Sequence, residues 1–177
     1  LIKKLEIILS NLGMENTRFR FSIKHTKNYF SNGKDELQLL ISANKGVNFG
    51  ELKKIASGGE LSRIMLAVKA ILSEYSKLPT IIFDEIDTGV SGDISQKMAD
   101  IMHEMSSNMQ VITITHLPQI AAKGQQHYKV YKQDINNNIE TKLMQLNKNE
   151  RVEEIAEMLS GKNISKTAIE HAKELLN

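Results

Sequence analysis

Apolar positions along the chain change their period several times, and each change marks an element. Leu1, Leu5, Ile8 and Leu12 recur at helical spacing, and Gly13 then stops the helix. The same four positions trace a short heptad seam, too brief on its own to establish a coiled coil rather than an ordinary amphipathic helix. "RFRFSIKH" (18–25) alternates Phe19, Phe21 and Ile23 with charged or polar residues, and "ELQLLISA" (36–43) offers a second strand. The turn-rich "NYFSNGKDE" joins them, which predicts a β-hairpin or meander.

Beyond residue 57 the pattern turns to helix, strand, helix, strand. Leu61, Ile64, Met65, Val68, Leu72 and Tyr75 fall on one face of a helix. "TIIF" (80–83) is wholly apolar and reads as a strand buried on both faces. A helix over 91–105 carries Ile94, Met98, Ile101, Met102 and Met105, and "VITIT" (111–115) is a further strand. "HYKVYKQ" (127–133) and "TKLMQL" (141–146) predict two strands around the turn "DINNN", and helices over 150–160, ending near Gly161, and 165–176 close the chain. Such alternation argues for an α/β fold whose sheet is parallel in its middle.

At 177 residues the chain is one domain or a large piece of one. A net charge of +2 permits a phosphate-rich partner without demanding one. The absence of cysteine excludes a disulfide framework and a thiolate metal site, and agrees with a cytosolic protein. No apolar run approaches the ~18 residues of a membrane span, and the start has no signal-peptide pattern. Because the chain begins with Leu1, it reads as a fragment or a trimmed protein.

Three polar clusters carry candidate chemistry. Ser57 and Glu60 form a capping box, but this leaves Gly58 and Gly59 unexplained at a helix start. Two glycines there leave backbone N–H groups bare for an anion, so a plain capped helix and an anion site are both open. Asp84 and Glu85 follow the apolar strand, where a doubly wound sheet places its ligands. One carboxylate can hold Mg²⁺ while the next orients or deprotonates a water; a solvated strand end is the alternative. His116 ends "VITIT" two residues before Pro118, either as a structural loop histidine or on the same sheet edge as the carboxylates.

Taken together, "ASGGELSR", "TIIFDE" and "TITH" resemble, in order, the signature motif, Walker B strand and H-loop of the ATP-binding-cassette ATPases. "DEIDTGVSG" and the stretch from "LNKNERVEEIAEMLSG" to "TAIEHAKELL" look most like the SMC-like branch. The resemblance is strong over about residues 50–177 and weaker before. It implies a P-loop NTPase head of ABC type, represented by its C-terminal half, with a central parallel sheet flanked by helices and an N-terminal β-hairpin. Residues 1–12 would be the end of a coiled coil leading into the head, and 13–177 its C-terminal lobe.

The same resemblance assigns the nucleotide-contacting motif to Ser57, Gly58, Gly59 and Glu60, the first three on the γ-phosphate of ATP held by a second copy. Asp84 would serve Mg²⁺, Glu85 would be the general base or water-orienting residue, and His116 would sense the γ-phosphate. "TGVS" (88–91) falls where the family's D-loop lies, with its contacts open. The phosphate loop G-x-x-x-x-G-K-[ST] is missing, so the chain alone should bind ATP poorly and hydrolyse almost none. The implied activity is ATP hydrolysis by a homodimer of heads in a cytoplasmic, nucleoid-associated protein that repairs DNA double-strand breaks.

The competing readings are a fragment of a transporter ATPase subunit and a non-catalytic dimerisation module. Ile86, standing where transporters commonly carry proline, counts against the first. Double-stranded DNA as a partner rests on the resemblance, since Lys3–Lys4, Arg18–Arg20 and Lys53–Lys54 are only scattered basic pairs.

Overall fold

The structure is a computed structural model that describes residues 1–75, 78–90, 92–135 and 138–177. Ser91, expected in the D-loop region, and Asn136–Asn137 of the expected "DINNN" turn lie outside the described residues.

Helix α1 (Ile2–Asn11) buries Leu5 and Leu9, and Leu12 just beyond it is also buried. It ends where Gly13 adopts φ +76°, a left-handed conformation open to glycine at little cost. A Cβ on Gly13 would meet Ile94 Cδ1 at 2.9 Å, so the position also needs the missing side chain.

A long hairpin follows. β1 (Arg18–Phe30) and β2 (Gly33–Ser42) pair antiparallel from Arg18↔Ser42 to His25↔Asp35, with an irregularity between His25 and Phe30. The strands run well into the polar "NYFSNGKDE" segment, because exposed strands need no apolar alternation to keep a backbone ladder. A two-residue strand, β3 (Gly50–Glu51), adds to β2, and a single helical turn, α2 (Leu52–Ile55), leads to the next helix.

The long helix α3 (Gly58–Ser73) buries Ile64, Leu66, Ala67 and Ile71. This corrects the expected face: Leu61, Met65, Leu72 and Tyr75 are exposed. Apolar size misled the spacing, because small Ala67 lies on the side facing the rest of the core. Arg63 holds α3 to α1, donating through Nη1 to the Leu12 carbonyl at 2.9 Å and through Nε to Gly59 O at 3.1 Å.

β4 (Thr80–Asp84) and β5 (Gln110–Ile114) form a parallel pair from Thr80↔Gln110 to Asp84↔Ile114. Helix α4 (Gly92–Met105) connects them and buries Met98, Met102 and Met105. Thr113 Oγ1 reaches Met102 Sδ at 3.7 Å, which places α4 on the face that holds Phe83 and Thr113. The opposite face contradicts burial of "TIIF" on both sides: Ile82 is 62% exposed, and Ile112 and Ile114 beside it are exposed as well. Among the described residues, helices cover one face only of this two-stranded sheet.

Helix α5 (Pro118–Lys123) follows β5, and a second antiparallel hairpin pairs β6 (Tyr128–Ile135) with β7 (Asn138–Gln145). Helices α6 (Lys148–Ser160) and α7 (Lys166–Leu176) build a smaller cluster with α5 around Ile155, Ala156, Ala168 and Ala172. Arg151 ties α6 to the end of α5 through the carbonyls of Ala122 at 3.2 Å and Gly124 at 2.6 Å. Gly161 ends α6 with φ +73°.

Candidate functional site

The start of α3 is built by its own sequence. Ser57 has extended backbone, and the Glu60 carboxylate accepts from the Ser57 N–H at 2.8 Å and from the Ser57 hydroxyl at 2.7 Å. Glu60 N–H points back to Ser57 Oγ at 3.4 Å, completing a reciprocal cap. Glu60 therefore holds the helix start together. The backbone and side-chain hydrogen bonds from Ser57 keep its carboxyl below the usual carboxylate range.

That depression has a sign. A carboxyl whose folded value lies below its unfolded value stabilises the fold above the unfolded value, about pH 4.3, and loses this contribution as pH falls through the folded one. Thermal unfolding of the Glu60→Gln protein should accordingly fall less steeply between pH 5 and pH 3 than that of the parent, in roughly the range set by these carboxylate values. Parallel curves would mean that the cap is not formed in solution.

Gly58 and Gly59 differ in what surrounds them. A Cβ on Gly58 would meet nothing within 4 Å, so the space in front of the helix start is open. On Gly59 a Cβ would stand 3.3 Å from the Gly89 carbonyl oxygen and 3.5 Å from that of Thr88. The loop after β4 thus lies directly against the first turn of α3. One glycine leaves room outside and the other permits close packing inside.

Asp84 ends β4, exposed on the uncovered face, and Glu85 follows, also exposed. Glu85 is the only non-glycine residue with positive φ among the described residues, at +47°. Its N–H donates to the Ile114 carbonyl at 3.0 Å, and its own carbonyl accepts from the Thr88 hydroxyl at 2.7 Å. Such a conformation costs about 1–3 kcal/mol and persists only where neighbours hold it. Here a strand on one side and the loop on the other do so.

His116 follows β5 with its side chain 65% exposed. Behind it lies Asp87, a residue that sequence reading passed over and that is 1% exposed. Thr115 donates its hydroxyl to Asp87 Oδ2, and Leu117 N–H donates to Thr115 Oγ1 at 3.0 Å. Asp87 Oδ1 stands 3.8 Å from His116 Nδ1. The third acidic residue of "DEIDTG" gives no warning of this, because the partner lies 28 positions away.

One loop, residues 84–90, therefore joins the three clusters. It packs on the α3 start through Thr88 and Gly89, carries Asp84 and Glu85, and reaches the segment after β5 through Asp87. Among the described residues no group of three or more histidines and carboxylates gathers as a metal cage. A single exposed carboxylate, Asp84, fits a hard cation that takes its remaining oxygens from water and a phosphate-bearing ligand.

No family model matches the chain. It is 41% identical to the DNA repair protein RecN of Halalkalibacterium halodurans over 96% of its own length and 31% of the relative's. With RecN of Rickettsia typhi it shares 42% identity over 96% of its length and 30% of the relative's, and with RecN of Deinococcus radiodurans 40% over 99% and 31%. The chain thus spans about 30% of the length of these relatives.

Among solved structures, one from work on ATP-driven dimerization and DNA-stimulated activation of SMC ATPases superposes with a TM-score of 0.61 at 21% identity. That match covers 90% of this chain and 91% of the other. The Smc head domain with a coiled coil and joint from Pyrococcus yayanosii superposes with a TM-score of 0.67 at 19% identity, over 90% of this chain and 29% of that one. The fold is that of an SMC-type head.

Proposed function

We propose, from the premise that the chain belongs to the RecN family and corresponds to the C-terminal part of its members, that it supplies half of each ATP site in an ATP-dependent DNA repair protein. The observation that carries this reading is the loop 84–90, which brings the Ser57–Gly59 helix start, the Asp84–Glu85 pair and His116 into one contiguous arrangement.

The open space before Gly58 is where the γ-phosphate of ATP on a second head would dock. The bare N–H groups and the helix dipole both favour an anion there. Ser57, Gly58 and Gly59 form that contact, and Glu60 keeps the helix start in shape. Asp84 would hold Mg²⁺, which supplies charge neutralisation at the phosphates when bound. Glu85 orients or deprotonates the water that attacks the γ-phosphate of ATP held by its own head, and His116 contacts that phosphate from the neighbouring strand end.

The exposed apolar face of Ile82, Ile112 and Ile114 supports a head completed by another part of the same polypeptide, since the chain spans about 30% of its relatives. That part would bring the phosphate-binding loop, and α1 would lead into the head from a coiled coil. Two such heads would close on two ATP molecules and separate after hydrolysis. The fragment alone would then be inactive, and the whole protein would work in the bacterial cytoplasm, associated with the nucleoid. Transporter use is disfavoured by Ile86 and by the RecN relatives.

DNA enters through the relatives, which are DNA repair proteins. Linear double-stranded DNA added to the complete protein should raise the rate of phosphate release from ATP several-fold, roughly the span of a 1 kcal/mol coupling between sites. A rate that duplex DNA leaves unchanged over a range of salt concentrations would remove DNA as the activating partner.

A further inference from the structure

Asp87 is a buried carboxylate with a task that the scheme above leaves unassigned. Its Oδ2 is anchored by the Thr115 hydroxyl, which is itself fixed by the Leu117 N–H. Its Oδ1 is buried and, among the described residues, has no hydrogen-bond partner. Buried carboxylate oxygens are rarely left so, because burial removes the water that would otherwise bind them. The facing polar atom is His116 Nδ1 at 3.8 Å, within ion-pair range and too far for a hydrogen bond. A small rotation of the exposed imidazole closes that gap, whereas the carboxylate is pinned.

We propose that Asp87 is a positioning residue for His116: its free oxygen accepts from Nδ1–H when nucleotide binds, which aims Nε2–H at the γ-phosphate. This rests on the reading of His116 as a phosphate contact. An imidazole with an acceptor on each side is held as a two-donor link, and its ring orientation is fixed by the inner acceptor. The carboxylate sits in the same loop whose Thr88 and Gly89 carbonyls lie against Gly59. Docking of a second head on the α3 start therefore presses on the loop that carries Asp87, and the histidine is aligned only when both partners of the site are in place.

The test uses the complete protein. Asp87→Asn keeps the shape and removes the charge. It should lower kcat for ATP by about 10- to 100-fold, by analogy with the loss of groups that orient metal-bound histidines, with KM changed by less than roughly 3-fold. Nitrogen spectra of ¹⁵N-histidine-labelled protein, trapped with ATP by Glu85→Gln, should show both His116 nitrogens protonated, and Nδ1 without its proton once Asp87 is also replaced.

Three outcomes separate the claims. If His116→Ala turns over ATP like the parent, the reading of His116 fails and this inference with it. If His116→Ala is inactive but Asp87→Asn keeps its kcat, only the inference about Asp87 is overturned. Should Asp87→Asn fail to fold, the trapped protein with Asp87 intact still decides: an unprotonated His116 Nδ1 there overturns the proposal, and a protonated one supports it.

Discussion

Glu85→Gln in the complete protein lowers the ATP turnover number by about 10²- to 10⁴-fold, the contribution of a positioned acid–base group, while ATP-dependent association of heads persists. Two features set this expectation. The Glu85 backbone is held at φ +47° by its N–H on Ile114 O and by Thr88 on its carbonyl, and neither bond involves the carboxylate. Glutamine therefore keeps the loop and the Gly59–Gly89 contact, and with them the closing surface. What it loses is an acceptor that can take a proton from water. Steady-state phosphate release, measured beside crosslinking of heads with ATP, checks both halves of the statement. Parental turnover in the variant would remove Glu85 from the chemistry; loss of association would make its role structural.

Gly59→Val is the second large effect. Its Cβ would stand 3.3 Å from the Gly89 carbonyl oxygen, tighter than ordinary contact, and the two branch methyls add to the crowding. Either α3 or the Thr88–Gly89 turn must move, at a cost of about 1–3 kcal/mol for an overpacked contact. The displaced parts are the helix start and the loop with Glu85 and Asp87, so ATP-driven association and turnover should both fall by at least about 10²-fold, equivalent to roughly 3 kcal/mol of lost alignment. ATP affinity of the open head should change little, since in the proposed arrangement the α3 start meets nucleotide only from the opposite head.

Gly58→Ala provides the contrast. Its Cβ meets no neighbour, and alanine favours a helix over glycine, so the folded protein should be at least as stable as the parent. A fall in association with unchanged stability there would show that the open space is used by the ligand. Thermal unfolding and ATP-dependent gel filtration of the two variants give the comparison.

The elements could be read from the sequence where local chemistry decides them. The Ser57–Glu60 cap, the glycine stops at 13 and 161, and the apolar rhythm of α4 all act within a turn or two of chain, and each stands where its residues place it. The parallel pairing of β4 and β5 follows from strand–helix alternation in the same way.

What escaped the sequence depends on neighbours far along the chain. The buried face of α3 turns on Ala67, a small residue whose value lies in the close packing it allows. "TIIF" reads as doubly buried because apolar residues alternate with no polar ones, yet burial needs a covering layer, and Ile82 has none among the described residues. Glu85 and His116 could be singled out as strand-end polar residues, but the positive φ of Glu85 arises from Ile114 and Thr88 together. Asp87 was invisible for a related reason: its partners Thr115 and His116 reach it only once two strands lie side by side.

In the proposed arrangement each ATP site is shared between two heads, with Glu85 serving one side and the Ser57–Gly59 helix start the other. Mixing complete Glu85→Gln protein with complete Gly58→Glu protein, each expected to be inactive alone, tests this sharing; the second substitution fills the open space with bulk and negative charge where no neighbour is displaced, so the loop with Glu85 keeps its place. After the subunits re-pair at random, half of the dimers are mixed, and one of the two sites in each mixed dimer has an intact Glu85 facing an intact Gly58. Turnover should recover to about a quarter of the parental rate for such a two-fold symmetric pair. A mixture that re-pairs, as shown by crosslinking of differently tagged chains, and yet stays inactive would contradict the shared site.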